Sequence, residues 1–183
     1  MKYHSIAISG LPGAGKSGLA KKLSIDLKWK TSSIGEIWRE RHKEQNISVP
    51  FEDYWKNTGI SDNKKINDEF LKLVNRGKII ADTRYAHIYS DKTLKVFVTA
   101  PVVIRALRAF KSSKYIGKDC ESIEQILETR EKDEVMMGRK LYGDTYDYRS
   151  PEHYDLIIDS GLMSVEKEYN AILNKMQLSI AAT

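Results

Sequence analysis

The sequence predicts an α/β domain built on a mostly parallel β-sheet with helices on both faces, and three observations carry that prediction. Short apolar runs rich in β-branched residues recur at 4–9, 78–82, 94–99 and 155–159, each too short for a buried helix. Longer stretches with apolar residues at helical spacing lie between them. At 183 residues, 41% apolar and 30% charged, the chain can bury one sizeable core and is too short for two ordinary domains. Strands that alternate with helices imply parallel pairing, with ligands bound at the carboxyl ends of the strands, where Gly10, Asp82 and Asp159 fall.

In chain order, residues 4–9 read as a buried strand that enters a glycine-rich turn. Residues 18–29 follow as a helix with Leu19, Ala20, Leu23 and Leu27 on one side. A short strand over 30–33 precedes a helix over 36–45, and Pro50 with Phe51, Tyr54 and Trp55 marks a turn and then a short helix. Ile66, Phe70, Leu73 and Val74 define a helix over 61–75 that Gly77 ends as a C-cap. After the strands at 78–82 and 94–99, Pro101 suits the first turn of a helix over 102–111, because its missing N–H has no partner there anyway. Residues 112–119 are polar, 121–138 form a long charged helix, and 142–154 read as a polar, tyrosine-rich surface loop. A strand over 155–159 and a helix over 165–176 complete the chain.

Several chemistries find no support. Cys120 is the sole cysteine, and His4, His42, His87 and His153 are dispersed without metal-ligand spacing. The net charge of +5 comes from basic residues interleaved with acidic ones, so no nucleic-acid partner is expected. No apolar run is long enough to span a bilayer, and the first residues lack the pattern of an export signal, so a cytoplasmic protein without membrane association is expected.

The feature that carries chemistry is Gly10-Leu11-Pro12-Gly13-Ala14-Gly15-Lys16-Ser17, a complete G-x-x-x-x-G-K-[ST] between a strand and a helix. Its glycines let successive N–H groups converge on a phosphate, and the helix N-terminus behind them adds positive potential. Lys16 is expected at the terminal phosphates of a nucleoside triphosphate such as ATP, and Ser17 at Mg²⁺. Gly18, in the first helical turn, costs roughly 1 kcal/mol of helix propensity relative to alanine and brings no hydroxyl to the donor.

With this loop followed by Ser33-Ile34-Gly35-Glu36-Ile37-Trp38-Arg39, then Asp82-Thr83-Arg84, then Arg105 and Arg108, the chain resembles the cytidylate kinases over most of its length. The resemblance implies the three-layer P-loop nucleoside monophosphate kinase fold, an α/β fold with a five-stranded parallel sheet, an acceptor-binding insert near 36–77 and a lid near 112–149. It implies ATP and Mg²⁺ as donor and metal, and CMP or dCMP as acceptor. By the same resemblance Arg39 and Arg84 bind the acceptor phosphate; Ser33 and Glu134 are further candidates at the acceptor, Glu134 either at its base or as a solvated acid on an exposed helix. Lys16, Arg84, Arg130 and Arg139 act on the transferring phosphoryl group, and Asp82 joins Ser17 at the metal. Where the family's lid carries a basic cluster, this chain has Val135-Met136-Met137, and Thr83 and Tyr85 also depart from the family pattern. Two other readings keep the loop: a kinase for a different nucleotide or small metabolite, and a nucleotide-binding regulator with little turnover.

Overall fold

The computed structural model describes residues 2–45, 48–112 and 115–181. Residues 46–47 of the expected insert and 113–114 of the expected lid lie outside them. The element order is β1 (Ser5–Gly10), α1 (Lys16–Leu27), β2 (Lys30–Ser33), α2 (Ile34–Glu44), α3 (Phe51–Asn57), α4 (Ile60–Asn75), β3 (Ile79–Asp82), β4 (Thr93–Thr99), α5 (Val102–Phe110), α6 (Cys120–Tyr142), β5 (Leu156–Asp159) and α7 (Val165–Ala181). The five strands form one parallel sheet in the order β2-β3-β1-β4-β5, as the alternating pattern predicts.

Side-chain alternation along β1 explains why the sheet is buried on both sides. Ile6 and Ile8 pack with Leu19 and Leu23 of α1 and Ile172 of α7, whereas Ala7 joins Trp38, Phe70, Val74 and Val135 on the opposite face. Ser5 and Ser9 share that second face, and each hydroxyl donates to a backbone carbonyl, of Val74 at 2.7 Å and of Arg84 at 2.7 Å. Small residues there let the bulky aromatic side chains of α2 to α4 approach the sheet. Gly77 follows α4 with φ +86°, a left-handed position that suits glycine at a helix end.

Three expectations change. Pro101 is the N-cap of α5 rather than part of its first turn, and its carbonyl accepts the N–H of Arg105 at 3.1 Å. The charged helix runs four residues further than expected, through Leu141 and Tyr142, and ends only where Gly143 takes φ +111°. Residues 142–154 expose their polar members, such as Asp144, Thr145 and Arg149, as a surface loop does, but their tyrosines turn inward: Tyr148 is completely buried, and Tyr85, Tyr142 and Tyr146 meet edge-on or tilted within 5.1–6.0 Å. Gly138 makes room for this cluster, since a Cβ there would come within 3.0 Å of the Tyr146 ring. Burial pushes the Tyr85 hydroxyl up to about 12, so it stays neutral. Among the described residues no helix is long and apolar enough to cross a membrane.

His87 closes one side of the tyrosine cluster, with its Nδ1 2.7 Å from the Tyr146 hydroxyl and its ring 5.3 Å from that of His153. Burial, with His153 and Lys95 nearby, pushes its pKa down to about 4. The unfolded chain therefore binds a proton that the folded chain refuses between about pH 6.5 and pH 4, and stability falls as the pH drops through that window. Urea midpoints measured from pH 7 to pH 4 show this decline, and His87→Gln flattens it. An identical slope in the variant refutes the assignment.

Candidate active site

The loop after β1 owes its shape to close backbone packing. A Cβ at Gly10 would lie 2.1 Å from the Val98 carbonyl oxygen of β4, so only glycine allows the chain to turn there. Gly13 and Gly15 take φ +81° and +98°, and Gly15 is the N-cap of α1 with no side chain capping it. The first N–H groups of α1 thus point into the cleft without a side-chain partner, which is the arrangement that receives an anion. The Lys16 ammonium donates to the carbonyls of Gly10 at 2.8 Å and Leu11 at 3.0 Å. Desolvation lowers its pKa, opposed by Asp82 and Glu134.

Across the sheet, β3 delivers Asp82 and Arg84. The Ser17 hydroxyl donates to Asp82 Oδ2 at 3.3 Å, which sets one hydroxyl and one carboxylate side by side at the mouth of the loop. That donor set fits Mg²⁺, an ion that takes one or two protein oxygens and fills its other positions with water and phosphate oxygens. Gly18 borders the same cleft, and a Cβ built there meets nothing within 4 Å, so packing does not require glycine at this position.

Glu134 of α6 is buried at the centre of the site. Its Oε1 lies 3.0 Å from Arg84 and 3.0 Å from Arg130 Nε, and the Tyr148 hydroxyl donates to its Oε2 at 3.2 Å. The Arg84 guanidinium also sits 4.4 Å over the Trp55 ring. Desolvation opposes ionisation of Glu134, but Arg84, Arg130 and Lys16 outweigh it and hold the carboxyl below its usual range. Glu134 was expected at the acceptor's base; instead both of its oxygens face this arginine and tyrosine set.

Two cavities meet here. One, of about 350 Å³, is lined by the phosphate loop, Asp82, Arg108 and Leu127. The other, of about 700 Å³, lies between α2 to α4 and α6 and is walled by Trp38, Phe51 and Trp55. Arg39, Arg84 and Arg130 line both. Arg39 is exposed, with no acidic partner among the described residues, and Phe51 lies 5.9 Å from its guanidinium. Ser33 lines the first cavity and caps α2, accepting the Glu36 N–H at 3.4 Å.

The remaining arginines divide differently from expectation. Arg139 is exposed on α6 and lines neither cavity. Arg105 faces protein groups: it is buried, donates to the carbonyls of Ala100 at 2.9 Å and Pro12 at 3.0 Å, and pairs with Glu131 at 2.6 Å. Arg108 braces the loop from the side, through the carbonyl and hydroxyl of Ser160 at 2.7 and 2.9 Å. Sequence reasoning also missed Trp55 and Tyr148, whose contacts become visible only once α3 and the 142–154 segment fold over the sheet.

The model of the cytidylate kinase-like family matches residues 29–162. A cytidylate kinase of Ignicoccus hospitalis is 31% identical over 165 residues, covering 88% of this chain and 92% of its own. One from Sulfolobus acidocaldarius is 32% identical over 173 residues, covering 92% and 91%. Among solved structures, an uncharacterized protein from Eubacterium ventriosum superposes with a TM-score of 0.69 at 18% identity, covering 97% of this chain and 99% of its own. Shikimate kinase from Acinetobacter baumannii does so with a TM-score of 0.60 at 18% identity, covering 99% and 95%, which shows a shared fold.

The buried carboxylate yields a stability test. Removing one member of a buried, hydrogen-bonded ion cluster leaves the others uncompensated, at a cost of about 3–5 kcal/mol. Glu134→Ala therefore lowers the unfolding free energy by that order at pH 7, measured by denaturant titration. A loss below about 1 kcal/mol contradicts the central place given to this residue.

Proposed function

The chain belongs to the cytidylate kinase-like family and is an ATP-dependent nucleoside monophosphate kinase, and from that premise we propose that its acceptor is CMP or dCMP, phosphorylated in the cytoplasm with Mg·ATP as donor. The observation that carries the reading is the junction of the two cavities at Arg39, Arg84 and Arg130. The loop cavity takes the triphosphate and the aromatic cavity takes the acceptor's base and sugar. The acceptor phosphate and the γ-phosphate then meet where the three guanidiniums converge.

In this reading the loop's N–H groups and Lys16 hold the β- and γ-phosphates, Lys16 leaving its two loop carbonyls to do so. Ser17 and Asp82 would hold Mg²⁺, which supplies charge neutralisation on the donor phosphates when bound. Arg39 and Arg84 grip the acceptor phosphate, and Arg130 neutralises charge on the transferring oxygens. Glu134 is a positioning residue that holds Arg84 and Arg130 at the junction. The acceptor phosphate is already anionic and nucleophilic, so alignment and electrostatics suffice without a general base. The segments 36–77 and 112–149 act as acceptor-binding insert and lid, and the closing of α6 toward α2 excludes water from the junction.

An ADP-release assay with a panel of nucleoside monophosphates, shikimate and gluconate tests the acceptor directly. CMP and dCMP give the highest kcat/KM; turnover confined to a non-nucleotide acceptor overturns the reading, and nucleotide binding without any acceptor-dependent release favours a regulator. Lys16→Ala lowers transfer at least about 100-fold in folded protein. Arg39→Ala raises the KM for the acceptor and barely moves ATP affinity measured without acceptor; the opposite pattern places Arg39 on the donor side.

A further inference from the structure

The aromatic cavity has a polar feature that phosphate transfer does not use. The inward face of α4 carries Ile66, Phe70 and Val74, and continuing that stripe toward the helix N-terminus gives Asn67 and Asn63. Both amides line the cavity, and both residues are nearly inaccessible, at 3% for Asn63 and 6% for Asn67. An amide in such a place costs free energy unless its groups find partners.

For Asn63 the chemistry fixes which way the amide points. Its Nδ2 donates to the carbonyls of Gly59 at 3.2 Å and Thr58 at 3.4 Å. A carbonyl only accepts, so a flipped amide would set Oδ1 against two lone-pair-bearing oxygens. Oδ1 is therefore the free end, and it has no hydrogen bond among the described residues. Among those residues the one fully buried side-chain N or O atom without a hydrogen bond is Glu131 Oε1, which is ion-paired with Arg105. Asn63 lines the cavity, and Oδ1 is the end of its amide that keeps hydrogen-bonding capacity for a ligand there. Asn67, one turn further along, donates from Nδ2 to the Tyr142 hydroxyl at 3.2 Å and stands beside it.

We infer that Asn63 Oδ1 is the specificity determinant for the acceptor's base, accepting a hydrogen bond from an exocyclic amino group. The inference rests on the nucleotide-acceptor reading of this cavity. Trp38, Phe51 and Trp55 supply apolar walls for any planar ring, and so do not tell one pyrimidine from another. Asn63 does: an amino-bearing ring completes its hydrogen bonding, whereas a ring with a carbonyl at that position presents a lone pair to a lone pair and leaves both oxygens unpaired.

The test compares kcat/KM for CMP, UMP and the 2-pyrimidinone ribonucleoside monophosphate, which has the same ring without the amino group. Wild-type enzyme prefers CMP over each of the other two by at least about tenfold, and in Asn63→Ala, folded by circular dichroism, the CMP-to-UMP ratio falls by at least about tenfold. An unchanged ratio in the folded variant overturns the inference. Should Asn63→Ala not fold, the wild-type comparison decides alone, because equal use of CMP and the 2-pyrimidinone nucleotide equally overturns it. Phosphorylation of CMP and UMP at equal efficiency removes the role of Asn63 and leaves the kinase reading standing. Phosphorylation of neither, with turnover of a non-nucleotide acceptor, removes both.

Discussion

The site depends on one buried carboxylate. Arg84 and Arg130 border the junction of the two cavities and Lys16 lines the loop cavity beside them, and cations brought together in a partly dehydrated space repel one another unless an anion lies among them. Glu134 is that anion. It is held ionised because Arg84, Arg130 and Lys16 outweigh its desolvation, and it couples the end of β3 to α6 and, through Tyr148, to the segment leading into β5. Trp55 covers Arg84 from the other side, so α3 joins the same assembly.

A second set of contacts serves the phosphate loop alone. Arg105 draws together Pro12, Ala100 and Glu131, and Arg108 together with Ser160 ties the loop at Ala14 to the turn after β5. What separates these arginines from those at the junction is the partner. Each nitrogen of Arg105 meets a backbone carbonyl or a carboxylate and the side chain is buried, whereas Arg39 is exposed and has no acidic partner among the described residues. Rigid support of the loop from behind keeps its N–H groups aimed before any ligand arrives, which limits the reorganisation that binding would otherwise require.

The parts legible in the sequence are those whose cause is local. Four of the five parallel strands follow from β-branched runs, the phosphate loop from glycine positions, and the end of α4 from Gly77, each needing only neighbours in the chain. The roles of Arg105 and Arg139 were not legible, because a guanidinium reads alike whether it meets a carbonyl, a phosphate or water. The 142–154 segment misled for a similar reason: tyrosine and charge suggest an exposed loop, yet Gly138 opens a space on α6 into which Tyr146 packs. Asn63 and Asn67 did carry a signal, for two amides fell on the apolar stripe that Ile66, Phe70 and Val74 define. Reading that stripe only for its apolar members concealed it.

Whether Glu134 helps or hinders phosphate binding turns on geometry rather than charge. A guanidinium carries five N–H donors in a planar fork, and Glu134 takes one nitrogen of each arginine, a terminal NH₂ of Arg84 and Nε of Arg130. A phosphate arriving from the cavity can therefore engage the other edge of each fork while the carboxylate stays in place and fixes the orientation. Lysine at either position would match the charge and fail the task, since a single ammonium on a flexible stem cannot be oriented by one anion while it presents a flat donor edge to another. The arrangement requires arginine at both positions and an acid between them. The fold supplies the acid from α6, one turn after Arg130, where the i,i+4 spacing brings Glu134 against its own neighbour before it reaches across to β3.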